Sequence, residues 1–160
     1  MYITKYWGNF IGGTDDSLTL AELLAEMKKE EISVSEILAA FEMDKLNGDF
    51  RDPGICIERT DAAGWQVLIY YAIDLISDLA ALMLECKMSG YVDLQEIDSD
   101  LEEGGRVRIT ASEEDNALIN RTLADFAENP TAYDLKEMMT PEDLQTLANL
   151  CGQIREELYG

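Results

Sequence analysis

Residues 72–88 read AIDLISDLAALMLECKM, the most hydrophobic stretch of the chain. Its larger apolar residues recur at the spacing of one helix face: Leu75, Leu79, Leu82 and Cys86. Gly90 follows, and glycine is the usual residue at a helix C-terminus. The stretch is too short to span a bilayer and is interrupted by Asp74 and Asp78, so it does not predict a membrane helix. We expect it to be the central helix of a folded core.

The residues before this helix predict β-strands. ICIERT (55–60) and WQVLIYY (65–71) flank DAAG (61–64), a length and composition typical of a β-hairpin. Because WQVLIYY is almost entirely apolar, we expect it to be a central strand of the sheet. Further strands are predicted at YITKYW (2–7), YVDLQEI (91–97) and RVRITA (106–111).

Several helix starts are recognisable from capping residues. LTLAELLAEM, from Leu18, and ISVSEILAAFEM, from Ile32, form a twofold repeat that predicts two helices joined by a short KKEE turn (28–31). The predicted capping boxes pair Thr19 with Glu22 and Ser33 with Glu36. A later helix is predicted to start at Ser112, capped with Asp115, and to stop at Asn129 and Pro130. A short helix is predicted at AYDLKEMM (132–139). The final helix is predicted to begin at Thr140, with Pro141 at its first position, and to run to about Leu158.

The order of these elements shows no regular β-α alternation. It predicts an α+β fold with a small, mostly antiparallel sheet of about 4–5 strands covered by about 5–6 helices. The length of 160 residues and a hydrophobic content of 47% predict one globular domain spanning residues 1–160.

The charge balance restricts the class of partner. The chain has 33 acidic residues, 12 basic residues and no histidine, a formal net charge of −21. Such a field repels nucleic acid and anionic membranes and attracts basic proteins, so we expect a basic protein partner, with no nucleic acid and no membrane.

The opening residues and the cysteines predict a cytoplasmic protein. MYITKYWGNF lacks the basic and apolar regions of a signal peptide. Cys56, Cys86 and Cys151 are widely spaced in apolar surroundings, a pattern that favours buried thiols in a reducing compartment over a disulfide, a metal site or a nucleophile.

The densest negative charge lies in DLQEIDSDLEEGG, residues 93–105, which contains no basic residue. Mutual repulsion of about 2 kcal/mol between like charges ~7 Å apart opposes compaction of this run. One interpretation is a solvated loop. The other is a partner-binding surface formed by Asp93, Glu96, Asp98, Asp100, Glu102 and Glu103, which we call the acidic surface.

A glycine-rich loop near the N-terminus does not fit a phosphate-binding loop. Gly12 and Gly13 are followed by Thr14, Asp15 and Asp16, where a P-loop requires Gly-Lys-Ser/Thr, and the two carboxylates would repel phosphate. The structural alternative is a tight turn of the glycines beside the tryptophan at position 7.

The carboxylates give no complete catalytic or metal motif either. Asp98, Asp100 and Glu102 have the first spacings of a calcium loop, but Glu103 and Ile109 stand where an EF-hand needs Gly and Glu. Without histidine the commonest general base is absent. We therefore expect no enzymatic activity, no cofactor and no dedicated metal site.

The opening YITKYWGNFIGGTDDSLTL, residues 2–20, resembles the openings of immunity proteins of bacterial polymorphic toxin systems, which are often small, acidic and cytoplasmic. The resemblance implies a protein that binds and neutralises a cognate toxin in the producing cell. Immunity families have many unrelated folds and share no catalytic motif, so the resemblance assigns no binding residues. Two alternatives remain open: a nucleic-acid mimic that inhibits a DNA- or RNA-binding protein, and a small carboxylate- or metal-dependent enzyme.

Overall fold

The structure is a computed structural model that describes residues 1–51, 56–58, 66–101 and 104–160, with residues 56–58 and 66–68 described by their backbone alone. The α-helices in this part of the chain are α1 (Asp15–Met27), α2 (Val34–Ala40), α3 (Ala72–Ser89), α4 (Leu94–Ile97), α5 (Glu113–Glu128) and α6 (Pro141–Tyr159). The strands are β1 (Trp7–Asn9), β2 (Ile11–Gly12), β3 (Glu31–Ser33), β4 (Cys56–Glu58), β5 (Gln66–Leu68), β6 (Val92–Asp93) and β7 (Arg106–Thr110). Short 3-10 helices cover Tyr2–Lys5, Met43–Leu46, Pro130–Ala132 and Asp134–Glu137.

Helix α3 is the centre of the core, as its sequence predicts. Leu75, Leu79 and Leu82 are fully buried, and the helix contacts α1, α5, α6 and strands β6 and β7. It ends at Gly90, which has a φ of 89° and donates its backbone N–H to the Cys86 carbonyl at 2.9 Å. Within the described part of the chain, no helix has both the length and the apolar character needed to cross a membrane.

The strands form several small sheets, so the prediction of one mostly antiparallel sheet of four or five strands is wrong. The largest sheet has the order β3-β7-β6 and is mixed: β7 runs parallel to β3, with Ile32 opposite Ile109, and antiparallel to β6, with Val92 opposite Val107. Strands β1 and β2 form a short parallel pair. The predicted α+β class is confirmed.

WQVLIYY is only partly a strand, and the prediction that it is central is wrong. β4 and β5 pair antiparallel, as the hairpin prediction requires, but they form a separate two-stranded sheet; the connection over residues 59–65 lies outside the described residues. The strand stops because the backbone N–H groups of Tyr70 and Tyr71 donate to the Asp16 carboxylate, at 2.9 and 3.1 Å, instead of to another strand. The chain then enters α3 directly.

The first residues form a 3-10 helix where a strand was predicted. The Glu85 side chain on α3 accepts the backbone N–H of Tyr2 at 2.9 Å and that of Ile3 at 3.3 Å. Backbone donors occupied in this way are not available to a neighbouring strand. Of the predicted strand over residues 2–7, Trp7 alone lies in a strand, as the first residue of β1.

A polar cluster joins this N-terminal segment to the last helix. The Tyr2 and Tyr6 hydroxyls both donate to the Glu157 carboxylate, and the Lys5 ammonium lies 3.1 Å from it. These hydrogen bonds, those from the tyrosines first, lower the pKa of Glu157 to about 2. The cluster fixes residues 2–6 against the C-terminal end of α6.

Two of the three predicted capped helix starts are correct. Ser33 with Glu36 and Ser112 with Asp115 both form such boxes. The Thr19 box is wrong: α1 begins earlier, where the Thr14 hydroxyl accepts the Ser17 N–H at 3.2 Å. Between α1 and α2 the predicted turn contains the left-handed Lys28 and then β3, so the two helices do not form a simple hairpin.

The remaining predictions differ in outcome. Asn129 ends α5, and α6 begins after Thr140 with Pro141 at its first position, as predicted. YVDLQEI leaves the strand after Asp93, because the Asp93 carboxylate accepts the Gln95 N–H and starts α4. AYDLKEMM contains a 3-10 helix over Asp134–Glu137.

The glycine loop makes the tight turn beside Trp7 that its sequence predicts. Gly12 has a φ of 79°, and a Cβ atom there would lie 2.2 Å from the Trp7 ring. We expect Gly12→Ala to lower the free energy of unfolding by more than the ~1–3 kcal/mol of left-handed strain alone, because the indole must also move. The matched control is Gly8→Ala, with a φ of 117° and no atom within 4 Å. Urea unfolding of both variants tests this, and equal losses would contradict it.

Candidate partner-binding site

The acidic surface starts with side chains that also have local structural roles. The Asp93 carboxylate is half-buried and accepts the Gln95 N–H at 3.0 Å. The Asp98 carboxylate, also half-buried, accepts the Asp100 N–H at 3.0 Å. Both residues therefore shape the backbone of this surface as well as carry charge.

Two other acids of this surface face solvent. Glu96 is exposed and lies 3.8 Å from the Met1 amino group. Asp100 is exposed, and its carboxylate makes no hydrogen bond or ion pair within the described part of the chain. Glu102 and Glu103 lie outside the described residues. The structure thus places Glu96 and Asp100 where a partner can reach them.

The two arginines near this surface are engaged elsewhere. The Arg106 guanidinium lies 4.1 Å from the centre of the Tyr91 ring, and Arg108 forms an ion pair with Glu31. Among the described residues, no ion pair joins either arginine to the acidic surface. Among the described residues, the Met1 amino group beside Glu96 is the one positive group that forms an ion pair with the described acids of this surface.

A second group of acids lies where α1 meets the start of α3. Asp78 is fully buried; its carboxylate accepts the Ser17 hydroxyl at 2.5 Å and the Gly12 N–H at 2.8 Å. It thus ties α3 to the glycine loop and to the first turn of α1. The hydrogen bonds satisfy the polar atoms that this contact buries.

Asp16 and Asp74 lie in the same region but differ in their contacts. Asp16 is 1% exposed, and its two oxygens accept the Tyr70 and Tyr71 N–H groups. Asp74 is 7% exposed, and its carboxylate accepts no hydrogen bond from any described residue. Asp74 is therefore a largely buried carboxyl group that has no hydrogen-bond partner among the described residues.

Burial shifts the ionisation of all three aspartates in one direction. It raises the pKa of Asp78 to about 8, against the opposing effect of its hydrogen bonds from Ser17 and Gly12. It raises the pKa of Asp74 to about 7, and the nearby Asp16 charge adds to this shift. The pKa of Asp16 is also raised by burial. Near neutral pH the three groups do not all carry charge, so the formal −21 overstates the net charge of the folded protein.

A groove of ≈ 630 Å³ opens beside Asp74. We call it the Asp74 groove, and its acidic residues are Asp15, Asp16, Asp74 and Asp143. Tyr70 and Met138, which are 51% and 69% exposed, also line it. None of the described residues that line it is basic. The groove therefore combines negative charge with exposed apolar surface.

Comparison with known families decides the class of the protein. A family model, Imm68, described as Immunity protein 68, matches residues 2–158. The chain belongs to this family. The resemblance that residues 2–20 suggested is confirmed and extends over almost the whole sequence. No curated protein and no solved structure matches the chain.

Membership of the Imm68 family identifies an immunity protein in general, and the family description names no site residue. The site must therefore be argued from the contacts of this chain. The sequence analysis missed the Asp74 groove, although α3 carried a signal for it. Asp74 and Asp78 stand four residues apart in the mostly apolar first turns of α3, and in the sequence they indicate only interruptions of a membrane span.

The two cysteines of this Imm68 member whose side chains the structure describes, Cys86 and Cys151, show no sign of an activated nucleophile. Cys151 is buried, its Sγ lies 3.3 Å from the Ser77 hydroxyl, and burial raises its thiol pKa to about 12. Cys86 is partly buried, and burial raises its pKa as well. The predicted burial is confirmed for Cys151, while the side chain of Cys56 lies outside the described residues. In the described part of the chain, no group of three or more acidic or cysteine side chains is placed to hold a metal ion.

Proposed function

We propose that this protein binds a cognate toxin domain in the producing cell and neutralises it as a stoichiometric inhibitor. The observation that carries the proposal is the match of the Imm68 family model to residues 2–158. The excess of 33 acidic over 12 basic residues supports a basic partner, because opposite charges speed encounter and select the partner.

The acidic surface is the proposed contact for that partner. Glu96 and Asp100 support this role because they are exposed, and neither pairs with a basic side chain of the described chain. In isolation the surface gains nothing from its charge. When the partner places a lysine or arginine opposite one of these acids, each close pair contributes a coupling of about 1.5 kcal/mol or more.

The proposed inhibition needs no catalytic step, cofactor or metal ion of the immunity protein. Covering the toxin's active site or its substrate-binding surface is sufficient. The proposed location is the cytoplasm of the producing cell, because the toxin must be neutralised where its target lies.

The double charge reversal Glu96→Lys with Asp100→Lys is expected to weaken binding about 10- to 100-fold, as two attractive contacts become repulsive. Asp98 is left unchanged because its carboxylate holds the Asp100 N–H. The partner is the toxin domain encoded beside this gene. Affinity is measured by calorimetry at two salt concentrations, and protection by growth of cells that co-express both proteins.

The matched control is Glu128→Lys with Glu156→Lys, which changes the net charge by the same amount. Both residues are exposed in the last turns of α5 and α6, where a lysine favours the helix. We expect this control to retain most of the affinity. Equal affinity of both double variants would show that the acidic surface is a solvated loop. Tight binding to a DNA-binding protein, with no binding to the toxin, would favour the nucleic-acid mimic.

A further inference from the structure

We propose that the Asp74 groove receives one cationic side chain, a lysine or arginine, from the toxin. The proposal rests on the proposed function, since the partner is that same toxin. It adds a second contact, separate from the acidic surface, and identifies the chemistry of the group that is bound.

The contacts of Asp74 are the first argument. The residue is 7% exposed, and its carboxyl group accepts no hydrogen bond from the described residues. No fully buried side-chain oxygen or nitrogen in the described part of the chain lacks a partner. The Asp74 oxygens must therefore reach the remaining opening, which is the groove.

A carboxyl group in this position is costly to the free protein. Burying a polar group without a hydrogen bond destabilises the fold, and burying its charged form does so more strongly. Hydrogen bonds from Ser17, Gly12 and two backbone N–H groups reduce this cost for the neighbouring Asp78 and Asp16. Asp74 has no such donor among the described residues, and a cation entering from the groove would supply one.

The walls of the groove fit the rest of such a side chain. Tyr70 and Met138 present apolar surface at the groove, and lysine and arginine carry apolar stems that pack on such surface. A cation beside a tyrosine ring gains a further attraction from the ring face. Asp15 and Asp143 add negative charge, and no basic residue among the described lining residues opposes it.

Other occupants fit less well. A divalent cation needs several ligands, and Asp16, the neighbouring acid, already uses both of its oxygens on backbone donors. A second copy of this chain carries the same strong excess of negative charge, formally −21, which opposes self-association. A basic segment of the toxin satisfies both the charge and the shape.

The test measures the affinity of the toxin domain for Asp74→Asn by calorimetry. We expect binding to weaken at least about tenfold, because the neutral amide cannot pair with a cation. The fold should persist, since Asn has the same shape and the Asp74 side chain makes no hydrogen bond with a described residue that would be lost. Met138→Ala, at a residue that is 69% exposed, should weaken binding a few-fold with no change in thermal unfolding.

The matched control is Glu113→Gln, which removes the same charge from an exposed position at the start of α5. It should bind like the wild type. Lysine and arginine residues of the toxin are then changed one at a time to methionine, and each change is combined with Asp74→Asn. One of them should show a coupling of about tenfold or more with Asp74, while the others show none.

The outcomes separate this inference from the proposed function. If Asp74→Asn binds the toxin as tightly as the wild type, while the double reversal at Glu96 and Asp100 weakens binding, the inference is wrong and the proposed function stands. Binding of magnesium or of a second copy that depends on Asp74, with toxin affinity unchanged, also overturns it. If the wild type binds no toxin, both fail.

Discussion

Asp78→Asn is expected to raise the free energy of unfolding by about 2 to 5 kcal/mol at pH 7.5 and to change it little near pH 4. The cause is the pKa of Asp78, which burial raises from 3.8 to about 8. Between these two values the unfolded chain has lost the proton and the folded protein has kept it. Because the folded state then binds more protons, stability falls as the pH rises through this range. Asparagine removes the titration.

The structure indicates that asparagine can keep both contacts of Asp78. Its side-chain oxygen can accept the Gly12 N–H, and its amide can donate to the Ser17 hydroxyl. The Ser17 hydroxyl can then donate to the Thr14 hydroxyl, whose oxygen lies 3.1 Å away. No buried polar atom would lose its partner.

Urea unfolding of the wild type and Asp78→Asn from pH 4 to pH 8 measures this effect. The control is Asp78→Ala, which leaves the Gly12 N–H without its acceptor and leaves the Thr14 hydroxyl as the acceptor for the Ser17 hydroxyl. It should be less stable than the wild type by about 1 to 3 kcal/mol at low pH, where Asp78 of the folded wild type is neutral. Parallel pH profiles for the wild type and Asp78→Asn would show that Asp78 does not titrate in this range.

Phe126→Ala is expected to lower the free energy of unfolding by about 3 to 5 kcal/mol. Phe126 is fully buried on α5, and its ring packs edge-on against Tyr133, with centroids 4.9 Å apart and an interplanar angle of 61°. The substitution removes this contact and leaves a cavity between α5 and the segment before α6.

Because Phe126 packs against Tyr133, the same substitution should also loosen the hydrogen bond of Tyr133 to a nearby ion pair. The Tyr133 hydroxyl donates to Asp125 at 2.6 Å, and Asp125 accepts two hydrogen bonds from Arg51, at 2.6 and 3.0 Å. Urea unfolding measures the loss, with Phe126→Leu as the control, for which we expect a loss below about 1.5 kcal/mol. A loss below 1.5 kcal/mol for Phe126→Ala as well would mean that the site collapses around the smaller side chain.

The helices were predictable because their signals are local. Ser33 with Glu36 and Ser112 with Asp115 lie three residues apart, and the apolar spacing of α3 lies within a single helix. Capping needs only neighbouring residues, so the sequence pattern contains the whole interaction. At Thr19 the pattern was present, but Thr14 and Ser17 formed the box earlier in the chain.

The sheets were not predictable to the same extent, because their pairing depends on distant residues. β3 lies beside β7, with Glu31 opposite Arg108, although 77 residues separate them. WQVLIYY leaves its strand because of Asp16, which is more than fifty residues away in sequence. Neither contact has a signal in the local sequence.

The candidate site also has one part that local sequence predicts and one part that it does not. The exposure of Glu96 and Asp100 follows from a local run of acids, and the structure places both at the surface. Their role in binding stays a prediction, as does the organisation of residues 1–160 as one domain. The Asp74 groove combines the starts of α1, α3 and α6, so no single stretch of sequence describes it.

The cluster around Glu157 has a consequence for folding during synthesis. Tyr2, Lys5 and Tyr6 leave the ribosome before their partner on α6, which follows about 150 residues later. At about 5 to 20 residues per second, this interval lasts about 8 to 30 s. During that time the two tyrosines and the lysine have no Glu157 to bind. Residues 2–6 thus complete their native contacts only when α6 has been translated.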